Sequence, residues 1–362
     1  METTLTSVAL PSKSPFLLCA VRTKPQIYSA LCKARLYYSR RVAAATARSL
    51  YKTHRELFQM NAFEMRQVES LRHHGYGLAA SFFPDELIDC IFAKASALFR
   101  DLQIDEQRCY SIQSGQRANL RGLSYDEIAA TEKVIALRDP LVRIPELIPI
   151  AFHESILRIA GNFLGYVPPL YRVTVVRDFP HNRPMHSSNF HKDNDESDSL
   201  QIFIYLIDID DLRGPLVYIP GSNHYDVRSC RPRLSRDLGL PGNDGRLSDE
   251  EVERVYPRNT WAILKTPRGS IAAIHGNGIH KGPAWTRPGD IANQPRTAIK
   301  LDLHGFKRGV RRDFRENVVR VSDFERLTGL QRLFAHATLV SDEIVTALST
   351  SCLKSEASHV LA

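Results

Sequence analysis

His191 and Asp193 stand two residues apart in Phe190-His191-Lys192-Asp193-Asn194-Asp195. Strand side chains alternate with period two, so this spacing puts an imidazole and a carboxylate on one face. They are two of the three donors of a 2-His-1-carboxylate set, which holds a non-haem ferrous ion from one side and leaves its other positions open. Alone, His-x-Asp is a common tripeptide, and a polar pair on a strand edge explains it equally well. A third donor must come from a distant segment. Residues 269–282 offer His275 and His280, which are five apart and face opposite ways on a regular strand. At most one of them can join the pair without a bulge. Further on, Pro295-Arg296-Thr297-Ala298-Ile299 opens a strand with an arginine, whose guanidinium can grip a carboxylate through two hydrogen bonds as lysine cannot.

The elements that would position these groups are strands. Apolar and β-branched runs are predicted as strands at residues 171–177, 188–193, 201–207, 215–219, 260–264, 270–275 and 296–303, with turn residues such as Pro220-Gly221-Ser222-Asn223 between them. Many short strands of this kind predict a mostly β fold with flanking helices, a sandwich or jelly roll. Asn189 shares the facing of His191 and is a candidate either for contact with a bound cosubstrate or for capping the strand. Phe203 and Tyr205 project to one face of a core strand, to line a pocket or to pack the core. Residues 100–150 are polar, dotted with arginine and interrupted by Pro140, Pro145 and Pro149, which predicts a covering loop or lid. A polar insertion near 225–258 carries Arg228, Arg231, Arg233 and Arg236 ahead of a helix start at Ser248-Asp249-Glu250-Glu251.

Helices are predicted around this centre. Gly75 and Gly77 end one helix, and Pro84-Asp85-Glu86 opens another, where a missing N–H costs nothing and acidic side chains suit the dipole. Leu87, Ile91, Ala95 and Leu98 are its expected buried face. The tail from Ser322 to Ser349 reads as two helices. The domain organisation expected is a basic segment over 1–60, a catalytic β domain over 61–321 and C-terminal helices over 322–362.

Composition narrows the class. The chain of 362 residues is 43% hydrophobic and 24% charged, as in globular proteins, and its six cysteines show no paired spacing. The net charge of +8 is local: residues 1–55 hold ten Lys or Arg and one acid, Glu2, while the remainder is nearly balanced. A general nucleic-acid-binding surface is therefore not expected. Residues 26–59 read as an amphipathic basic helix with Leu31, Ala34, Tyr38, Val42 and Ala45 on one face. Three readings fit it: an ordinary solvated helix, an organelle-targeting segment, or a peripheral contact with an anionic membrane surface. Cytoplasmic residence is the default expectation.

Taken in order, the motifs resemble the phytanoyl-CoA dioxygenase family of Fe(II)/2-oxoglutarate-dependent oxygenases over roughly residues 65–305. The matching stretches are Gly75-Tyr76, Phe82 to Leu87, His191 with Asp193, Gly214-Pro215-Leu216, Ile219-Pro220-Gly221-Ser222-Asn223-His224, the His-rich strand, and an arginine before the last core strand. The resemblance implies a double-stranded β-helix, cupin-like core with His191, Asp193 and His280 as metal ligands. It implies Arg296 as the partner of the distal carboxylate of 2-oxoglutarate, with Arg287 as runner-up, and leaves His275 as an alternate third ligand. Two departures stand out. Lys281 follows His280 where the family usually has Gly-Ser, and Arg296 comes later than usual, across an insertion.

The activity so implied is hydroxylation of an unactivated C–H of a small molecule (a metabolite, lipid or natural product), using Fe(II), 2-oxoglutarate and O2 and releasing succinate and CO2. Retention of a carboxylate at Asp193 favours hydroxylation over halogenation, since related halogenases carry a small residue there. The alternative is a non-catalytic jelly roll that binds a metal or ligand and serves in interactions. The missing Gly-Ser after His280 is its one support.

Overall fold

In the computed structural model the described residues are 42–100, 109–113, 116–118, 124–131, 134–137, 139–180, 188–193, 199–224, 246–282, 294–304, 317–335 and 338–342. The chain separates into two compact units, residues 1–46 and 47–362. All that follows concerns the second, apart from helical residues 42–46. Of the apolar stripe expected on the first basic helix, Val42 and Ala45 are exposed, and residues 26–41 lie outside the described set. No helix among the described residues is long and apolar enough to cross a membrane.

The strands are β1 (Tyr76–Ala79), β2 (Cys109–Gln113), β3 (Gln116–Ala118), β4 (Val134–Leu137), β5 (Leu170–Asp178), β6 (Ser199–Tyr205), β7 (Leu216–Tyr218), β8 (Ala262–Leu264), β9 (Ile271–His275), β10 (His280–Lys281), β11 (Arg296–His304), β12 (Val318–Arg320) and β13 (Thr338–Val340). Eight of them form an antiparallel sheet in the order β1-β9-β6-β11-β5-β4-β2-β3, and three form a smaller sheet in the order β10-β7-β8. Packed face to face, the two sheets make the jelly-roll core that the strand pattern predicts.

The alternation of side chains explains why the central strands read as continuous apolar runs, for both faces of the large sheet are covered. Val173, Val175, Ile202, Ile204, Ile299 and Leu301 turn to the helical side. Val176, Phe203, Tyr205 and Ala298 turn inward, where they meet Leu216, Tyr218 and Leu264 of the smaller sheet. The helical layer includes α1 (Ala62–His73), α2 (Asp85–Arg100) and α3 (Glu154–Leu164). A reciprocal capping box between Asn61 and Glu64 starts α1, and Gly75 at φ +83° turns the chain from it into β1. In α2 the buried face is Ile88, Ile91, Ala95 and Phe99, one position round from the expected Leu87 and Leu98.

Two sequence expectations are corrected. The stretch read as a lid supplies strands β2, β3 and β4 to the edge of the large sheet, followed by short helical turns over 139–152. Ile135, Leu137, Leu141, Ile144, Leu147 and Ile150 are fully buried there, so the segment belongs to the core. Its prolines mislead because Pro140 and Pro145 open short helical turns and end no strand. The C-terminal segment is two short helices, Val321–Glu325 and Gly329–Phe334, and then β13, which pairs with β12 in parallel.

Candidate metal centre

The His191 main chain forms an antiparallel bridge with that of His280, with N–H···O distances of 2.8 and 2.9 Å in the two directions. Two residues on, the Asp193 amide donates to the Gly276 carbonyl at 2.9 Å. The His-x-Asp segment is thus laced along residues 276–280, which end in the second histidine. A third tie comes from the Pro-Gly-Ser turn. The Ser222 hydroxyl donates to the Ile219 carbonyl and accepts from the Ile279 amide, both at 2.7 Å, and so fixes the residue before His280.

One donor atom from each of His191, Asp193 and His280 lies within 4.8 Å of the others. His191 Nε2 is 4.0 Å from Asp193 Oδ1, and His280 Nε2 is 4.0 Å from Oδ2. Both rings turn Nδ1 onto a carbonyl two residues back, His191 onto Asn189 at 2.9 Å and His280 onto Gly278 at 3.0 Å. A carbonyl only accepts, so Nδ1 carries a proton in each ring and Nε2 is the atom turned toward the carboxylate, the orientation a metal needs. Burial, and then the neighbouring His280 ring, hold the His191 imidazole well below its ordinary pKa of 6.5, so it stays neutral. The donor set fits a borderline divalent cation bound from one side. Among the described residues it holds neither a sulfur donor nor a fourth side chain that would close a tetrahedral structural site.

Several residues shape this centre that the sequence did not single out. Gln201 Nε2 donates to Asp193 Oδ2 at 2.6 Å and so orients the carboxylate from β6. Tyr218 lies nearly parallel to the His280 ring, at 11° and 6.2 Å between centroids, and its hydroxyl donates to the His275 carbonyl at 3.1 Å. Burial raises its pKa, which keeps the phenol a donor. A Cβ on Gly278 would lie 1.6 Å from that hydroxyl, and one on Gly276 would lie 2.8 Å from Asp193 Oδ2. Alternation along β6 puts Gln201 on the face of Phe203 and Tyr205, a signal that could have found it.

The remaining candidates fall in different places. His275 turns to the opposite face of β9 and sets its ring edge-on to Phe163 of α3, at 5.2 Å, which removes it as a third ligand. Asn189 contributes its main-chain carbonyl through the His191 hydrogen bond. Phe203 is in the inter-sheet core beside Tyr205. Arg296 is buried at the start of β11, with Nε and Nη2 at 2.9 and 2.8 Å from Asp178 Oδ2 and Nη1 donating to the Gly214 carbonyl at 3.0 Å. Arg287 and the arginines at 228–236 lie outside the described residues. Lys281, next to His280, points away from the centre. Its ammonium pairs with Asp249 and sits 4.8 Å from the Phe190 ring centroid and 5.7 Å from that of Trp261.

No family model and no curated protein matches the chain. Among solved structures it is similar to the epimerase SnoN in complex with Fe3+, alpha ketoglutarate and nogalamycin RO, at 16% identity over 67% of this chain and 83% of that one, with a TM-score of 0.41. It is similar to the non-heme alpha ketoglutarate dependent carbocyclase SnoK at 16% identity over 68% of this chain and 85% of that one, TM-score 0.42. A third is EctD from S. alaskensis with bound Fe, 18% identical over 68% of this chain and 79% of that one, TM-score 0.43.

Proposed function

We propose that the chain is a non-haem Fe(II)/2-oxoglutarate-dependent oxygenase of the phytanoyl-CoA dioxygenase type that hydroxylates a small molecule. One observation carries this reading: two imidazoles, each with Nδ1 held on a carbonyl, direct Nε2 at one carboxylate at 4.0 Å from either side. His191, Asp193 and His280 would hold the ferrous ion. Bound there with 2-oxoglutarate and O2, it would supply the oxidising power for attack on a C–H bond, with release of succinate and CO2. The chain's own part is to keep the His191 ring neutral, to aim both Nε2 atoms, to hold Asp193 through Gln201, and to wall the site with Tyr218. Lys281 bears on the rival reading, a non-catalytic barrel. Its side chain is directed to the outer face of the smaller sheet, so it takes no room at the metal.

Anaerobic titration with Fe(II) and then 2-oxoglutarate is the test. A visible charge-transfer band should appear only when both are present, and Asp193→Ala should abolish it. Saturable Fe(II) binding with no band and no succinate would favour the barrel.

A further inference from the structure

The ring that lies parallel to His280 is itself packed against another. The Tyr218 ring centroid is 5.8 Å from that of Tyr76, and Tyr76 in turn is 6.2 Å from His74. With the 6.2 Å between His280 and Tyr218, four rings step outward from a metal ligand. His280 and Tyr218 are buried, Tyr76 is half-buried and His74 is exposed. Tyr76 opens β1, the edge strand of the large sheet, so the run of rings reaches the surface there.

The middle ring is held without slack. Gly75 and Gly278 approach the Tyr218 hydroxyl so closely that a Cβ on them would lie 2.3 and 1.6 Å from it. That hydroxyl donates to the His275 carbonyl at 3.1 Å, and a carbonyl is no base for its proton. Burial and then the Asp193 charge both raise its pKa, so no phenolate forms there. Tyr76 differs in this respect. Among the described residues nothing hydrogen-bonds its hydroxyl, and on a half-buried residue that group meets water. A phenol gives up an electron readily only when its proton can leave with it. The proton of Tyr76 can leave; that of Tyr218 cannot.

We propose that Tyr218 and Tyr76 form a one-electron path from the metal centre to the surface, by which Tyr76 discharges an oxidant formed at the metal with no substrate C–H in reach. The path rests on the oxygenase reading above. With peroxide as the oxidant, the step balances. One peroxide takes two electrons and two solvent protons and becomes two waters. One electron comes from the bound ferrous ion, which is left ferric, and the other comes from Tyr76 across the rings of Tyr218 and His280. The phenolic proton passes to water. A neutral phenoxyl remains on Tyr76, where a reductant in solution can reach it.

The test uses the full chain loaded anaerobically with Fe(II), given one equivalent of hydrogen peroxide without substrate and freeze-quenched for electron paramagnetic resonance. The wild type should show ferric iron together with a phenoxyl signal, and ring-deuterated tyrosine should narrow that signal. Tyr76→Phe should still form ferric iron and lose the phenoxyl. Tyr218→Phe keeps the middle ring and should retain the phenoxyl, whereas Tyr218→Leu, compared at equal bound Fe(II), should lose it. Ferric iron without a phenoxyl in the wild type overturns the path and leaves the oxygenase reading standing. So does a phenoxyl undiminished in Tyr76→Phe or in Tyr218→Leu. A wild-type chain that takes up no Fe(II) overturns that reading and the path together.

Discussion

Gln201 reaches from β6 to donate its side-chain amide to Asp193 Oδ2 at 2.6 Å, so the carboxylate meets the two histidines in a fixed pose. Its other oxygen faces His191. A ligand held this way loses less freedom on binding a metal than one that must be collected from solvent. Gln201→Leu should therefore lower Fe(II) or Mn(II) affinity by about 10- to 100-fold, the usual effect of removing an outer partner of a ligand. Metal titration by calorimetry, beside an unchanged thermal melt of the metal-free chain, checks it.

Gly276 tests the same carboxylate from the other side. A Cβ there would stand 2.2 Å from Ser199 Oγ and 2.8 Å from Asp193 Oδ2, so Gly276→Ala must push the carboxylate aside. The expected outcome is a loss of metal affinity of at least about tenfold with a destabilisation of about 1–3 kcal/mol, the cost of overpacking a close-fitted site. Titration and melting of the same sample separate the two effects.

Lys281 is expected to matter for stability more than for metal binding. Its ammonium lies over Phe190 and near Trp261 and pairs with Asp249, so it pins the helix Asp249–Glu253 against β10. Lys281→Ala should cost about 1–2 kcal/mol, the size of a desolvated cation–π contact. The melting temperature should fall and the Trp261 emission should shift, while Mn(II) affinity stays within about threefold.

The pH dependence of the metal-free chain follows from His191. Its folded pKa is depressed below 6.5 by burial and by His280, so the unfolded chain binds the proton first as pH falls. This stability is fully present above pH 6.5 and is lost as pH drops toward the lower folded value. Burial lowers His153 as well and adds to the same slope. Melting temperatures between pH 7.5 and 5 should fall on the acid side of roughly 6.5, less steeply in His191→Gln. A flat profile in the wild type would contradict the depressed pKa.

Much of this was legible along the chain, for particular reasons. The His-x-Asp spacing places its two donors on one face of any extended segment, so His191 and Asp193 could be paired before their surroundings were known. Strands β5, β6, β9 and β11 showed as apolar runs because both of their faces are covered. The stretch 100–150 misled because composition records polarity and proline but not pairing; its β4 is buried by β2 and β5 on either side. For α2 the expected Ile91 and Ala95 are fully buried and Leu87 and Leu98 half-buried against the core, while Ile88 and Phe99 widen the stripe on one side, since its width depends on what lies beneath it.

The linear sequence by itself determined the kind of chemistry on offer: two imidazoles, one carboxylate and a strand-rich scaffold able to bring them together. Tertiary structure decided which histidine joins, because a strand has two faces and β9 turns His275 to the helices while β10 brings His280 to Asp193. It also decided which cation is already answered. Arg296 and Asp178 are far apart along the chain yet meet as register partners, which sets a guanidinium and a buried carboxylate side by side on β11 and β5.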